Sequence, residues 1–303
     1  MSVDVRVGIL SQRTLDERAR DALAAAGDAG IDHVGSVDHV SFRTGDGVDG
    51  LLTVAAMAGL HPTMGLFTGI YLLPLRHPAV VARQLSTVSH LAPGRFVFGV
   101  GIGGEDRREY ELLGIDPRTR GRRMEEHLAV LRELMTGEPV TFHGEFVSVD
   151  DVRVLPAPPV PVPIAVGGRS DAAIRRAGRL GDGWMAVWNS VARFQAGLAM
   201  IEEEAETAGR GHVDWQHSQT LWCGFGTDAR AARDHLAATM QRYYGVPFEG
   251  FEKYSPSGRP SDVADFIAPY VAAGAHVINL VPIARDLDAA IEAVAEVKRL
   301  LVS

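Results

Sequence analysis

Few residues in this chain combine a reactive side chain with neighbours that would put it to use. Asp38-His39 closes the apolar segment His33–Val37. A carboxylate beside an imidazole at a strand end relays protons or hydrogen-bonds a ring heteroatom, and it serves equally as a structural pair fixing a loop. Farther on, Ile164-Ala-Val166 runs into Gly167-Gly168-Arg169-Ser170-Asp171 and then a helical pattern. Two glycines expose backbone N–H groups, Ser170 adds a hydroxyl and Arg169 a charged donor. The helix N-terminus contributes partial positive charge, so the set suits a phosphate. Capping of the helix by Ser170 or Asp171 is compatible with that role.

Two more glycine-bearing strand ends stand out. Thr68-Gly69-Ile70 ends one strand, where a glycine lets a flat ring approach closely or simply makes a turn. Gly99-Val-Gly101-Ile-Gly103-Gly104-Glu105 matches G-x-G-x-x-G through Gly99, Gly101 and Gly104. A dinucleotide site needs the third glycine to open a helix. Here Glu105-Asp-Arg-Arg-Glu109 follows, and the clear helix begins only after Pro117, so a glycine-lined floor beneath a planar cofactor fits better. The 11 histidines form neither H-E-x-x-H nor a tight cluster with acids, so no metal is expected. The single cysteine, Cys223, reads as a small buried hydrophobe. Phe248, Phe251 and Tyr254 lie in a Gly- and Pro-bearing loop, 245–260. That loop covers an apolar substrate, packs on a rim or meets a second subunit.

Those residues need a frame. The chain has 303 residues, 46% of them hydrophobic and 22% charged, enough for a large core and unlike a disordered composition. The formal charge of −8, without a dense basic stripe, argues against nucleic acid or an anionic membrane as partner. Arg118, Arg120, Arg122 and Arg123 form one local basic cluster able to hold a phosphate. The opening residues lack the basic and apolar regions of a secretory leader, and no apolar run reaches the ~18 residues of a bilayer span. A cytoplasmic, soluble protein is expected.

Short apolar runs at 5–10, 33–37, 63–70, 96–100, 164–166, 184–187, 219–225 and 277–281 alternate with helical patterns. The patterns lie at 15–29, 49–60, 78–91, 120–135, 171–180, 191–208, 228–243 and 287–301. Strand followed by helix, repeated, implies parallel pairing. Repetition throughout a chain of this length predicts one (β/α)8 TIM-barrel domain over 1–303, with a small hairpin near 139–149 and loop insertions. The Pro-rich segment 155–163 suits a strap across one face. In such a barrel, chemistry sits at the C-terminal ends of the strands.

Taken in order, these motifs resemble the bacterial-luciferase-like flavin and deazaflavin oxidoreductases, especially the branch that uses coenzyme F-420. The resemblance rests on Asp38-His39, Thr68-Gly69-Ile70 with Arg76-His77-Pro78, GVGIGGE at 99–105 and GIDPRTRGRRMEE at 114–126. The TGEPVTFHGEF hairpin and VGGRSDAAIRRAGRLGDGW at 166–184 complete it. It implies F-420, or alternatively FMN, over the barrel mouth, contacted by Thr68, Gly69, Ile70, Gly101, Gly103, Glu105 and Arg169. The phosphate would rest on Gly167, Gly168 and Ser170. It further implies a non-prolyl cis peptide at Gly69-Ile70, His39 in proton transfer with Asp38 beside it, and a homodimer. The activity implied is hydride transfer between F-420 and a small organic substrate. The FMN alternative is a monooxygenase using oxygen and reduced flavin from a separate reductase. A flavin-binding barrel without turnover is the non-enzymatic alternative.

Overall fold

The computed structural model describes residues 5–12, 14–43, 45–104 and 106–302. Strands covered on both faces should be largely apolar without alternation, and the barrel strands are buried along most of their length. They are β1 (Arg6–Ser11), β2 (His33–Ser36), β3 (Gly65–Thr68), the short β4 (Tyr71–Leu72) and β5 (Phe96–Gly101). After the hairpin β6 (Val140–His143) and β7 (Ser148–Val152) come β8 (Ile164–Gly167) and β9 (Gly183–Val187). β10 (Ser218–Phe225), the short β11 (Ser257–Gly258) and β12 (Val277–Ile283) complete the set. Parallel pairing runs β10-β12-β1-β2-β3-β5-β8-β9 and closes from β9 back to β10, giving the expected (β/α)8 barrel. The hairpin stands apart as its own antiparallel pair.

The helices are α1 (Ala19–Asp28), α2 (Gly50–Leu60), α3 (Pro78–Leu91), α4 (Arg108–Leu112) and α5 (Arg120–Leu134). They continue with α6 (Asp171–Leu180), α7 (Val191–Thr207), α8 (Ala229–Tyr244), α9 (Pro260–Ala272) and α10 (Leu287–Val302). The apolar pattern predicts a first helix from Leu15, but α1 starts at Ala19. The Asp16 carboxylate accepts the Arg18 N–H at 2.9 Å and holds the preceding residues in a turn. Among the described residues, no helix is long and apolar enough to cross a membrane.

Two packing details bear on the site. Trp184 on β9 is fully buried, and its ring stacks on Phe194 of α7 at 5.5 Å. Gly197 of α7 makes room for it, since a Cβ there would meet the indole at 2.4 Å. The indole Nε1–H donates to the Gly168 carbonyl at 2.8 Å, tying a mouth loop to the helix layer.

Inside the barrel, the side chains of His33 and Asn279 meet at 2.8 Å, and Asn279 donates to Thr220. Burial lowers the pKa of His33 from 6.5 to about 4, and that of His217 likewise to about 4. The unfolded chain takes up these protons as pH falls through its ordinary histidine pKa, whereas the native fold refuses them until about pH 4. Stability is therefore present above about pH 6.5 and is lost as pH falls between those values. The expected loss is about 2 kcal/mol per imidazole between pH 7 and pH 5. Urea unfolding at the two pH values measures it, and equal unfolding free energies would show the rings protonated within the fold.

Candidate active site

The barrel opens, at the C-terminal ends of its strands, into a cavity whose lining includes Leu10, Val37, His39, Ile70, Gly168 and Trp222. All but Trp222, which lies within β10, are at or just beyond the end of a strand, where the loops meet.

His39 is held from a direction the sequence does not announce. Its Nδ1 donates to Glu109 Oε2 at 2.9 Å, while Glu109 Oε1 accepts the amides of Val40 at 2.8 Å and Ser41 at 3.2 Å. Glu109 sits in the short helix α4 and is 3% exposed, so a carboxylate from another loop clamps both the ring and its backbone. Burial alone would raise the Glu109 carboxyl. The His39 ring and the two amides outweigh it and hold the group below the usual carboxylate range. A carboxylate only accepts, so Nδ1 carries the proton, and in the neutral ring Nε2 is the atom that can accept one.

Asp38 has different partners from those its neighbour suggests. Successive side chains of an extended segment face opposite ways, and the Asp38 carboxylate turns from His39 to Arg76. Arg76 Nη2 donates to Oδ1 at 2.9 Å and Nη1 donates to Oδ2. The remaining lone pairs accept the N–H of Gly50 at 3.0 Å and of Leu72 at 2.9 Å. Asp38 thus ties the start of α2 to β4. The Arg76 guanidinium also lies 4.6 Å from the centre of the Tyr71 ring.

A bed of small residues forms one side of the cavity. The peptide between Gly69 and Ile70 is cis, as the resemblance predicts, and both residues line the space. Gly101 lies behind Ile70, where a Cβ would fall 1.9 Å from Ile70 Cδ1 and push that side chain forward. Gly103, Gly167 and Gly168 complete the bed. Thr68 lies deeper, fully buried, donating from Oγ1 to the Gly99 carbonyl at 2.7 Å. Glu105 falls outside the described residues.

The phosphate-type loop adjoins this bed. Gly168 has φ +135°, a conformation that disfavours any side chain. Ser170 caps α6 by accepting the Ala173 N–H, and the first-turn amides of a helix have no acceptors within it. Asp171 at the helix start would repel an anion, but Arg193 pairs with it and also donates to the Arg169 carbonyl. Arg169 places its guanidinium 5.2 Å from the Trp188 ring. The backbone amides of this loop and the α6 N-terminus are donors of the kind that suit a phosphate. The Gly99–Gly104 run opens no helix at its third glycine, since α4 begins at Arg108. The cluster near Arg118 is largely engaged, with Arg118 on Asp116, Arg122 on Glu145 and Arg123 over the Phe146 ring.

Aromatic rings form the opposite wall. Phe42, Trp188, Trp222, Tyr243 and Tyr244 line the cavity. The 245–260 loop packs behind them, with Phe251 4.5 Å from Trp188 and Phe248 buried. Cys223 is fully buried in β10, and burial pushes its thiol pKa far up, consistent with a packing role.

Sequence reasoning missed Glu109, Trp188, Trp222, Tyr243 and Tyr244. Buried carboxylates need partners, so Glu109 beside the inward-facing Tyr110 was the one detectable signal. Its partner lies 70 positions earlier.

The sequence profile of the luciferase-like monooxygenase family matches residues 7–277. An uncharacterized protein of Mycobacterium tuberculosis is 39% identical over 46% of this chain and 47% of its own length. The F420-dependent glucose-6-phosphate dehydrogenase of Nakamurella multipartita is 31% identical over 70% of this chain and 65% of its own length. The chain thus spans about half the length of the first of these relatives and just under two thirds of the second. Among solved structures, an F420-dependent secondary alcohol dehydrogenase in complex with an F420-acetone adduct superposes with a TM-score of 0.88. It covers 99% of this chain and 100% of that one at 21% identity, which shows a shared fold. With a family match over most of its length and the barrel of its structural neighbours, the chain belongs to the luciferase-like monooxygenase family.

Proposed function

We propose that this luciferase-like oxidoreductase transfers a hydride between coenzyme F-420 and an organic substrate at the barrel mouth, with His39 moving the accompanying proton. The observation that carries it is the His39–Glu109 pair at 2.9 Å facing a cavity bedded by Gly69, Ile70, Gly167 and Gly168. Bound F-420 supplies a ring carbon that gives or takes a hydride. The protein does the rest. The bed admits a flat tricycle, and the loop Gly168–Ser170 holds a phosphate by backbone N–H groups and the α6 terminus. Aromatic rings exclude water, and His39 Nε2 accepts the substrate proton while Glu109 stabilises the resulting imidazolium. Asp38 acts here by holding the mouth loops together. The F420-dependent names of several relatives favour this cofactor.

FMN has the same tricyclic outline, and the family's own description as a monooxygenase favours it as the second reading. Titration of the protein with F-420 and with FMN, followed by ring fluorescence, separates the two. Tight F-420 binding with weak FMN binding is the expected result. A preference for FMN would move the assignment to an oxygen-using monooxygenase, and binding of neither would remove both. In the same titration, Ser170→Asp is expected to weaken F-420 binding by about tenfold or more, because it sets an anion where the phosphate belongs. Unchanged affinity would place the phosphate elsewhere.

A further inference from the structure

The cavity wall facing the glycine bed has a composition that selects among substrates. Phe42, Trp188 and Trp222 are each under 9% exposed, yet all border the open space. Their rings form one connected sheet with Tyr243 and Tyr244. Phe42 lies 5.0 Å from Tyr243, Trp222 5.7 Å from Tyr243, and Trp188 5.0 Å from Tyr244. Leu10, Val37 and Val281 add aliphatic surface.

Charge is arranged as tellingly. Only two lining residues among those described are ionisable acids or bases other than tyrosine, Asp38 and His39, and both are already matched, to Arg76 and Glu109. No lysine or arginine is among the described lining residues. Three nearby arginines lie outside that lining. Arg43 lies against Gly245, Arg108 pairs with Asp106, and Arg169 lies over the Trp188 ring beside the phosphate-type loop. An anionic substrate entering this space would leave its charge desolvated against indole and phenol rings, with no lysine or arginine among the described lining residues to receive it. The uncharged polar side chains of the lining are those of Gln12, Thr220 and the tyrosines, with Nε2 of His39 as the base.

We infer that the substrate is an uncharged, ring-bearing or branched apolar molecule carrying one alcohol or carbonyl oxygen, and that phosphorylated and carboxylated compounds are excluded. The inference rests on the hydride-transfer function proposed above and deepens it. In the oxidative direction, the carbinol carbon loses its C–H bond and the hydride passes to oxidised F-420. The O–H proton passes to His39 Nε2, and the C=O bond forms from the released electron pair. The reverse direction returns both. The aromatic sheet grips the apolar body, since rings bring large contact area at little cost in flexibility.

The test uses the protein loaded with F-420 and cyclic secondary alcohols of increasing size, beginning with cyclohexanol. Each is paired with a carboxylated counterpart such as 4-hydroxycyclohexanecarboxylate, and glucose 6-phosphate serves as a further anion. F-420 absorbance reports turnover, and quenching of tryptophan fluorescence by the matching ketones reports binding. Neutral compounds are expected to exceed the anions by about 100-fold or more in kcat/KM. Tyr243→Lys, which places a cation in the wall, is expected to shift that preference toward the carboxylates by about tenfold. Equal or better use of an anion by the parent protein, or binding of none of the neutral ketones, would overturn the inference, and neither result depends on the variant folding. Failure of F-420 to bind in the absence of any substrate would instead overturn the cofactor assignment, so the two failures are distinguishable.

Discussion

Replacing His39 by alanine is expected to lower kcat for F-420-dependent turnover by about 10³-fold, while the dissociation constant of F-420 stays within a few-fold of the parent. The ring lines the cavity and its loop is held through backbone amides, so removing it takes away a proton acceptor and leaves the phosphate-type loop untouched. Glu109→Gln gives the sharper comparison. The amide oxygen keeps the shape and can still accept from Val40 and Ser41, but the negative charge behind His39 is gone. A fall in kcat of about 10- to 100-fold is expected, with KM and F-420 affinity little changed. A purely structural Glu109 would instead move KM and stability together. Equal kcat for His39→Ala and the parent protein would remove His39 from the mechanism.

Asp38→Ala is expected to act on the fold. Asp38 is 1% exposed and accepts from Arg76, Gly50 and Leu72. Its removal leaves a half-buried guanidinium and two amides without their acceptor. Removing one partner of a buried pair costs about 3–5 kcal/mol. For a chain of this size that lowers the melting temperature on the order of 8 °C. Calorimetry measures it, and Asp38→Leu with Arg76→Leu should recover much of the loss, because both buried charges are then gone. Unchanged melting with collapsed turnover would give Asp38 the catalytic place proposed from the dipeptide alone.

The contrast between these neighbours shows what one sequence conveys. Strands such as β10 and β12 were legible because a strand covered on both faces carries an apolar run without alternation, here over 221–225 and 280–283. The glycine runs at 101–104 and 167–168 were legible because glycine marks where backbone or ligand must come close. Partnership was not legible. Glu109 and His39 are 70 positions apart, and Arg76 and Asp38 are 38 apart. No local pattern links them, whereas Asp38 and His39 are adjacent and yet diverge. Helix α9 is absent from the helical patterns read in the sequence, and it holds two prolines, Pro260 and Pro269. The first occupies the opening turn, where a missing N–H costs nothing, and packing of Val263, Ile267 and Tyr270 sustains the helix past the second. Of the three places left open for the aromatic loop, it packs behind the cavity wall, because Tyr243 and Tyr244 reach the space first from the end of α8.

The indole of Trp184 ends in two places at once. Its ring is wedged against Phe194 and Gly197 on the outside of the barrel, and its N–H holds the Gly168 carbonyl at the mouth. The loop proposed to hold the phosphate is therefore moored through the barrel wall to helix α7. On the proposed placement of the phosphate, cofactor affinity becomes partly a property of the barrel's exterior. A drift in the seating of α7 would be felt as a change in grip on the phosphate, with the chemistry of His39 left as it was.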